Sequence, residues 1–165
     1  MFQKHYKESV LIRASPEEIF VFADDHENFS AHMTKSSWMM GGGTMNIETD
    51  EGHGQKIGSH IRMSGRAFGF KLFLDEVITQ YDPPRTKVWE TVGEIRLLVI
   101  GHYKLGLKIE PQNNESKFIV FIDYNLPVKN KWLGTLFGKM YAKWCVKQMI
   151  NGVDKFNHTK KGKNA

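Results

Sequence analysis

Seven histidines and one cysteine are the residues of this chain with the widest chemical range. His5, His26, His32, His53, His60, His102 and His158 include no HxH or HxxxH pair, the spacings that aim two imidazoles at one metal. Asp24-Asp25-His26-Glu27 reads as a charged turn between helices, without a ligand spacing. The expectation is therefore no metal and no cofactor. Cys145 cannot form an internal disulfide, and nothing nominates a base to activate it. It falls on an apolar helix face and reads as an inert packing residue. There is no GxSxG nucleophile turn. Gly52-His53-Gly54-Gln55-Lys56-Ile57-Gly58 lacks the Lys-Ser/Thr of a phosphate loop and joins two strands, so it reads as a hairpin with positive-φ positions.

His60, Arg62 and His102 alternate with apolar strand positions. Two orientations follow. Either they point to solvent, or the polar face lines a cavity, where Arg62 would pair with a carboxylate or enolate oxygen. Glu90, Asp123 and Tyr124 are further polar candidates for acid–base work on a bound carbonyl.

The aromatic residues carry more information. Trp38, Phe70, Trp89, Tyr103, Phe118, Tyr124, Tyr141 and Trp144 fall in strands or on the last helix. Most aromatics fill cores, but this number of them suggests that several line a cavity. Eight Met add the pliability that suits loosely specified apolar ligands.

The elements that position these groups can be read from pattern. Tyr6–Ala14 alternates as a strand. Ser15-Pro16-Glu17-Glu18 has the N-cap, the first-turn proline and the Glu three residues on that define a capping box. The helix it starts ends near Asp24-Asp25, and a second short helix is expected over Glu27–Met33. From about Ser36 to Leu126 the text is strands and turns. Ile57, Ser59, Ile61 and Met63 share one face of a strand; so do Phe68, Phe70, Leu72 and Leu74. Tyr81-Asp82-Pro83-Pro84 is a turn, Lys87–Val92 a short strand, and Tyr103–Ile109 the cleanest period-2 run. Phe118, Val120, Ile122 and Tyr124 form one face of the final strand.

One long helix follows from Lys131 to about Phe156. Lys139, Lys143 and Lys147 recur every four residues as a solvated stripe. Gly134, Gly138, Tyr141, Cys145, Met149, Gly152 and Phe156 face the other way. Glycine costs a helix ~1 kcal/mol against alanine. Three on one stripe point to close backbone approach, or to space kept open beneath the helix.

Length and charge bound the rest. The chain has 165 residues, enough for one domain with its own core. Residues 128–165 hold nine Lys against one acid, a net +8; the preceding residues carry −3. A nucleic-acid-binding domain spreads its basic residues over a face and carries a recognised motif, so nucleic acid is not expected. The basic segment leaves peripheral contact with an anionic membrane or a partner open. No stretch reaches the ~20 apolar residues of a membrane span, and MFQKHYKES has no signal-peptide core. A reducing cytoplasm is the simplest compartment.

Strand, two short helices, about six strands and one long helix is the order of a helix-grip domain. On four passages the chain resembles the START and Bet v 1-like (SRPBCC) superfamily, nearest the polyketide cyclase/dehydrase and lipid-transport family. These are Ser9–Phe22 (SVLIRASPEEIFVF), the glycine-rich 52–58 loop, the run from Glu76-Val77 through Asp82-Pro83-Pro84 to Trp89, and the long final helix. The likeness covers roughly residues 7–156. It implies an α+β fold in which a curved antiparallel sheet of about seven strands wraps the C-terminal helix. It also implies a cavity between sheet and helix for an apolar or aromatic small molecule.

The resulting expectation is one ligand-binding domain over residues 1–158 with a basic, disordered tail at 159–165. It acts as carrier or sensor of a lipid, sterol-like or polyketide-like ligand, as a monomer or homodimer. The alternatives are a cyclase or dehydratase using cavity Arg, His or Tyr groups, and a lysine-rich docking module. The residues nominated for ligand contact are Trp38, Arg62, Phe70, Trp89, Tyr103, Tyr124, Tyr141, Trp144 and Met149; none is nominated for catalysis.

Overall fold

The computed structural model describes residues 1–35 and 42–163. The chain order is β1 (Lys4–Ile12), α1 (Pro16–Asp24), α2 (His26–Phe29), α3 (Ala31–Thr34), β2 (Met45–Thr49), β3 (His60–Ala67), β4 (Phe70–Asp82), β5 (Thr86–Arg96), β6 (Tyr103–Gln112), β7 (Glu115–Tyr124) and α4 (Lys131–Lys163). The seven strands form one antiparallel sheet in the order β1-β7-β6-β5-β4-β3-β2. Consecutive strands β2 to β7 pair as a meander, and β1 closes beside β7.

Local chemistry explains the element ends. Ser15 Oγ accepts from the Glu18 amide and Glu18 Oε2 accepts from the Ser15 amide, which completes the capping box at α1. The short helix expected over Glu27–Met33 is two single turns that meet at buried Ser30. β3 begins at His60, later than the alternation from Ile57 implied. Asp50 gathers the preceding loop, accepting from the Gly52 amide at 2.9 Å, the His60 amide at 2.8 Å and the Ser59 hydroxyl. These bonds hold the Asp50 carboxyl down at about 2. His53, Gly54 and Gly58 adopt positive φ there, as the hairpin reading of this loop requires.

The sheet's concave face and α4 share the core. Ala142, Cys145, Val146, Met149, Ile150 and Val153 recur at helical spacing and are buried against it. Lys139, Lys143 and Lys147 are exposed on the opposite face. Of Gly134, Gly138 and Gly152, the first two have the close-approach role. A Cβ on Gly134 would stand 2.3 Å from Pro127 Cδ, and one on Gly138 would stand 2.9 Å from the Val99 carbonyl oxygen. Helical backbone continues to Lys163, past the expected domain end at 158 and through most of the segment read as a disordered tail. No proline follows to stop it, and Lys160 Nζ reaches Glu18 Oε1 at 3.3 Å. Among the described residues no helix is long and apolar enough to cross a membrane.

Candidate functional site

Strand register decides which side chains enter the interior. On β4, Leu72, Leu74, Glu76 and Ile78 alternate inward. An acid therefore occupies a core position: Glu76 is 1% exposed. On β5, Lys87 is fully buried, two residues before buried Trp89. On β6, Tyr103 begins the inward set.

These groups form two linked polar clusters under the short helices. Lys87 Nζ donates to the Asp24 carbonyl at 2.7 Å and to Asp24 Oδ1 at 2.9 Å. Tyr81 and Gln55 donate to Asp24 Oδ2 at 2.8 and 3.1 Å. Burial pulls the Lys87 ammonium's pKa down, and Asp24 opposes that shift. In the second cluster the Tyr103 hydroxyl donates to Glu76 Oε1. Burial and the neighbouring carboxylate push the Tyr103 pKa well above its usual value. His26 Nε2 stands 3.3 Å from Glu76 Oε2, within ion-pair range but outside hydrogen-bond geometry. Among the described residues, both His26 nitrogens, Glu76 Oε2 and His32 Nε2 have no hydrogen-bond partner.

Glu76, His32, Tyr103 and Ser30 face a small interior cavity of about 30 Å³, otherwise walled by Met33, Met63, Trp89, Cys145 and Met149 among others. Leu97, Ile100 and Tyr141 line this cavity and also a larger apolar pocket of about 440 Å³. The larger pocket lies between the first half of α4 (Leu133, Phe137, Met140), the β3–β4 hairpin (Phe68, Phe70) and residues 97–100. The Tyr141 hydroxyl lies 3.4 Å from Met33 Sδ. Burial pushes the Cys145 thiol up to about 12, so it stays a neutral packing group.

Trp89, Tyr103, Tyr141 and Met149, nominated from sequence, meet at the inner cavity. Phe70 lies at the outer pocket and is largely exposed, because the hairpin tip at Phe68-Gly69 carries it beyond the core register. Tyr124 is buried near Gly138, and Trp144 packs on Tyr141 and His32 at ring distances of 5.7 and 5.2 Å; neither lines the cavity. Trp38 lies outside the described residues. Arg62 is corrected: Ile61 and Met63 point inward, so Arg62 points out, 61% exposed, with Nε 3.3 Å from Asp75.

The other polar candidates also lie away from the inner cavity. His60 pairs with Asp75, Lys104 with Glu90, His5 with Asp123, and His102 Nδ1 lies 3.0 Å from Thr91 Oγ1. The outward orientation is thus the one adopted. Glu76, His26, His32, Ser30 and the Asp24–Lys87 pair were missed as site residues. For Glu76 a signal existed, an acid in phase with Leu72, Leu74 and Ile78. The two histidines sit on single-turn helices where no period can be read.

A curved antiparallel sheet gripping a long C-terminal helix, with a space between them, defines a helix-grip protein. The sequence matches the family described as polyketide cyclase / dehydrase and lipid transport over residues 3–158, and the chain belongs to it. A comparison with curated proteins finds no match in sequence. Solved structures with the same fold include norcoclaurine synthase from Thalictrum flavum, 12% identical with a TM-score of 0.67, covering 96% of each chain. The protein TTHA0849 from Thermus thermophilus is 15% identical with a TM-score of 0.64, covering 95% of this chain and 99% of that one. Ara h 8.0201 is 12% identical with a TM-score of 0.60, covering 94% and 98%.

Proposed function

We propose that the protein binds a small, largely apolar molecule between sheet and helix, as a carrier or sensor. The observation that carries this reading is the apolar pocket of about 440 Å³ sharing three wall residues with the inner polar cavity. Its volume falls in the range of roughly 300–1,000 Å³ usual for small-molecule sites, and its walls are mostly apolar with few polar groups. The ligand's bulk occupies the outer pocket, and Tyr141 stands where it continues inward. Membership of a family that includes lipid transport supports the same class of ligand. Gently purified protein examined by native mass spectrometry should retain an apolar molecule, or a panel of such molecules should raise the melting temperature. Failure of both, with Phe137→Glu behaving as wild type, contradicts the reading.

A second reading concerns where the ligand is exchanged. Trp132, Leu136 and Met140 recur every four residues on α4 and are 62%, 64% and 44% exposed beside the pocket. Exposed Phe68 and Phe70 lie on the facing hairpin. Contiguous exposed apolar surface marks an interaction site. Lys129, Lys131, Lys139 and Lys143 surround this stripe in sequence without a single acid between them, so an anionic lipid surface complements it. Each Lys near such a surface contributes up to ~1 kcal/mol. Co-sedimentation with phosphatidylserine-containing vesicles should weaken with salt and with Trp132→Ala; no binding at low salt rejects this reading.

A further inference from the structure

We propose that the open seam between β5 and β6 receives an acidic, extended peptide segment of a partner protein, which joins the sheet as an added strand. This is independent of the ligand-binding reading above. The two strands pair only from Thr86↔Lys108 to Glu90↔Lys104. β5 runs on to Arg96, whereas β6 begins at Tyr103. Thr91 marks the fork. Its hydroxyl donates to the Tyr103 carbonyl at 3.3 Å and accepts from the Tyr103 amide at 3.0 Å, so a side chain stands where the next ladder bonds would be. Beyond it the Gly101 amide donates to the Asn125 carbonyl at 2.7 Å, and the Asn125 amide donates to the His102 carbonyl at 2.9 Å. Residues 101–102 therefore stay with the chain leaving β7, and β5 continues alone.

Past the fork β5 also loosens from β4. Three of its residues, 93–95, lie between the pairs Asp75↔Val92 and Phe73↔Arg96, where β4 has only Leu74. Extra residues of this kind lack ladder partners. Among the described residues, the main chain of 93–95 makes no hydrogen bond outside strand pairing. Unpaired main chain at a sheet edge is a template for an incoming strand. The seam opens into a slot of about 600 Å³, lined by residues 93–98 from the β5 side and by 101–102 and 125–130 from the other. A residue in a sheet fills roughly 3.3 × 4.8 × 10 Å, about 160 Å³, so the slot takes about four. Charge selects the occupant. Lys71, Arg96 and Lys129 line the slot and are exposed. Among the described lining residues Glu94 is the one acid, and Arg96 Nε lies 3.2 Å from its carboxylate. Such a slot steers in an acidic segment and disfavours a basic one. Leu72, Leu97 and Ile100 also line it and offer apolar contact to alternate peptide side chains.

The test pans a display library of random octapeptides on the purified chain, then titrates an enriched peptide by calorimetry and by amide NMR. The enriched sequences should be rich in Asp and Glu, and the amide shifts should concentrate at residues 93–96. Lys71→Glu combined with Lys129→Glu, both at exposed positions, should weaken binding at least tenfold. Of two versions of the peptide methylated at alternate main-chain nitrogens, which keep its charge and remove donors, at least one should bind tenfold more weakly. Full affinity of both methylated versions overturns strand addition, because charge alone then holds the peptide. Enrichment of no peptide, or only of sequences without acidic residues, overturns it as well. So do shifts confined to Phe137 and Met140 at the outer pocket. Each of these failures leaves the apolar pocket and its own test standing.

Discussion

Lys87 Nζ lies 2.9 Å from Asp24 Oδ1, and the lysine has no exposed surface. The pair ties the last residue of α1 to the middle of the sheet. It thereby fixes α2, which begins at His26 and carries that imidazole to Glu76. A buried ion pair thus sets where α1 ends against the sheet and where α2 begins.

Breaking this pair on one side should be expensive. Lys87→Ala leaves Asp24 buried with only Tyr81 and Gln55 as donors. The expected loss is about 3–5 kcal/mol in urea unfolding. The double substitution Lys87→Met with Asp24→Leu should recover much of it, since hydrophobic replacements of whole buried pairs are often neutral. A single-mutant loss under ~1 kcal/mol would show that the pair is solvated in solution.

Acid should weaken the fold partly through His32. Its imidazole is held at about 4 in the folded chain, against an ordinary 6.5, by burial and then by His26. Between those values the unfolded chain binds a proton that the folded chain refuses. Stability therefore falls as pH drops from about 6.5 to 4 and is unaffected by this group above that window. The contribution is on the order of 1–3 kcal/mol, at the lower end because the residue is only half-buried. His32→Phe should flatten that part of the stability profile; an unchanged slope contradicts the assignment.

The helix glycines divide by what lies above them. Gly138→Ala drives a Cβ to 2.9 Å from the Val99 carbonyl oxygen, backbone that cannot swing away. It should cost about 1–3 kcal/mol despite the better helix propensity. Gly152→Ala meets only Phe22 ring atoms at 3.7 Å, an ordinary contact. It should be neutral or stabilising by up to ~1 kcal/mol. Thermal melts of the two variants should move in opposite directions.

Cys145 should resist labelling. It is buried and its thiol is held at about 12, so almost no thiolate exists near neutrality. Ellman's reagent should react in the native chain only at the rate of unfolding and rapidly in denaturant. Fast native labelling would mean that α4 lifts from the sheet.

The architecture was legible because its signals are local or strictly periodic. The capping box at Ser15–Glu18 and the alternation of Phe118, Val120, Ile122 and Tyr124 lie where the sequence pattern places them. The site was legible only where an apolar residue did the lining, as with Trp89, Tyr103, Tyr141 and Met149. Its polar end was not, because alternation alone leaves open which way a polar strand residue points: Arg62, nominated for ligand contact, and His60 point outward, whereas Glu76 and Lys87 point inward in phase with the apolar residues of their strands. His26 and His32 depend on tertiary contacts of one-turn helices, which carry no pattern.

Methyl NMR of methionine-labelled protein tests the central claim most directly. Met33, Met63 and Met149 line the inner cavity, Met140 lines the outer pocket, and Met45 is buried elsewhere. Titration with 4-hexylphenol should shift Met140 together with Met33, Met63 and Met149, and leave Met45 nearly still. Shifts at none of the four lining methionines, or at Met45 alone, would contradict a ligand seated between sheet and helix.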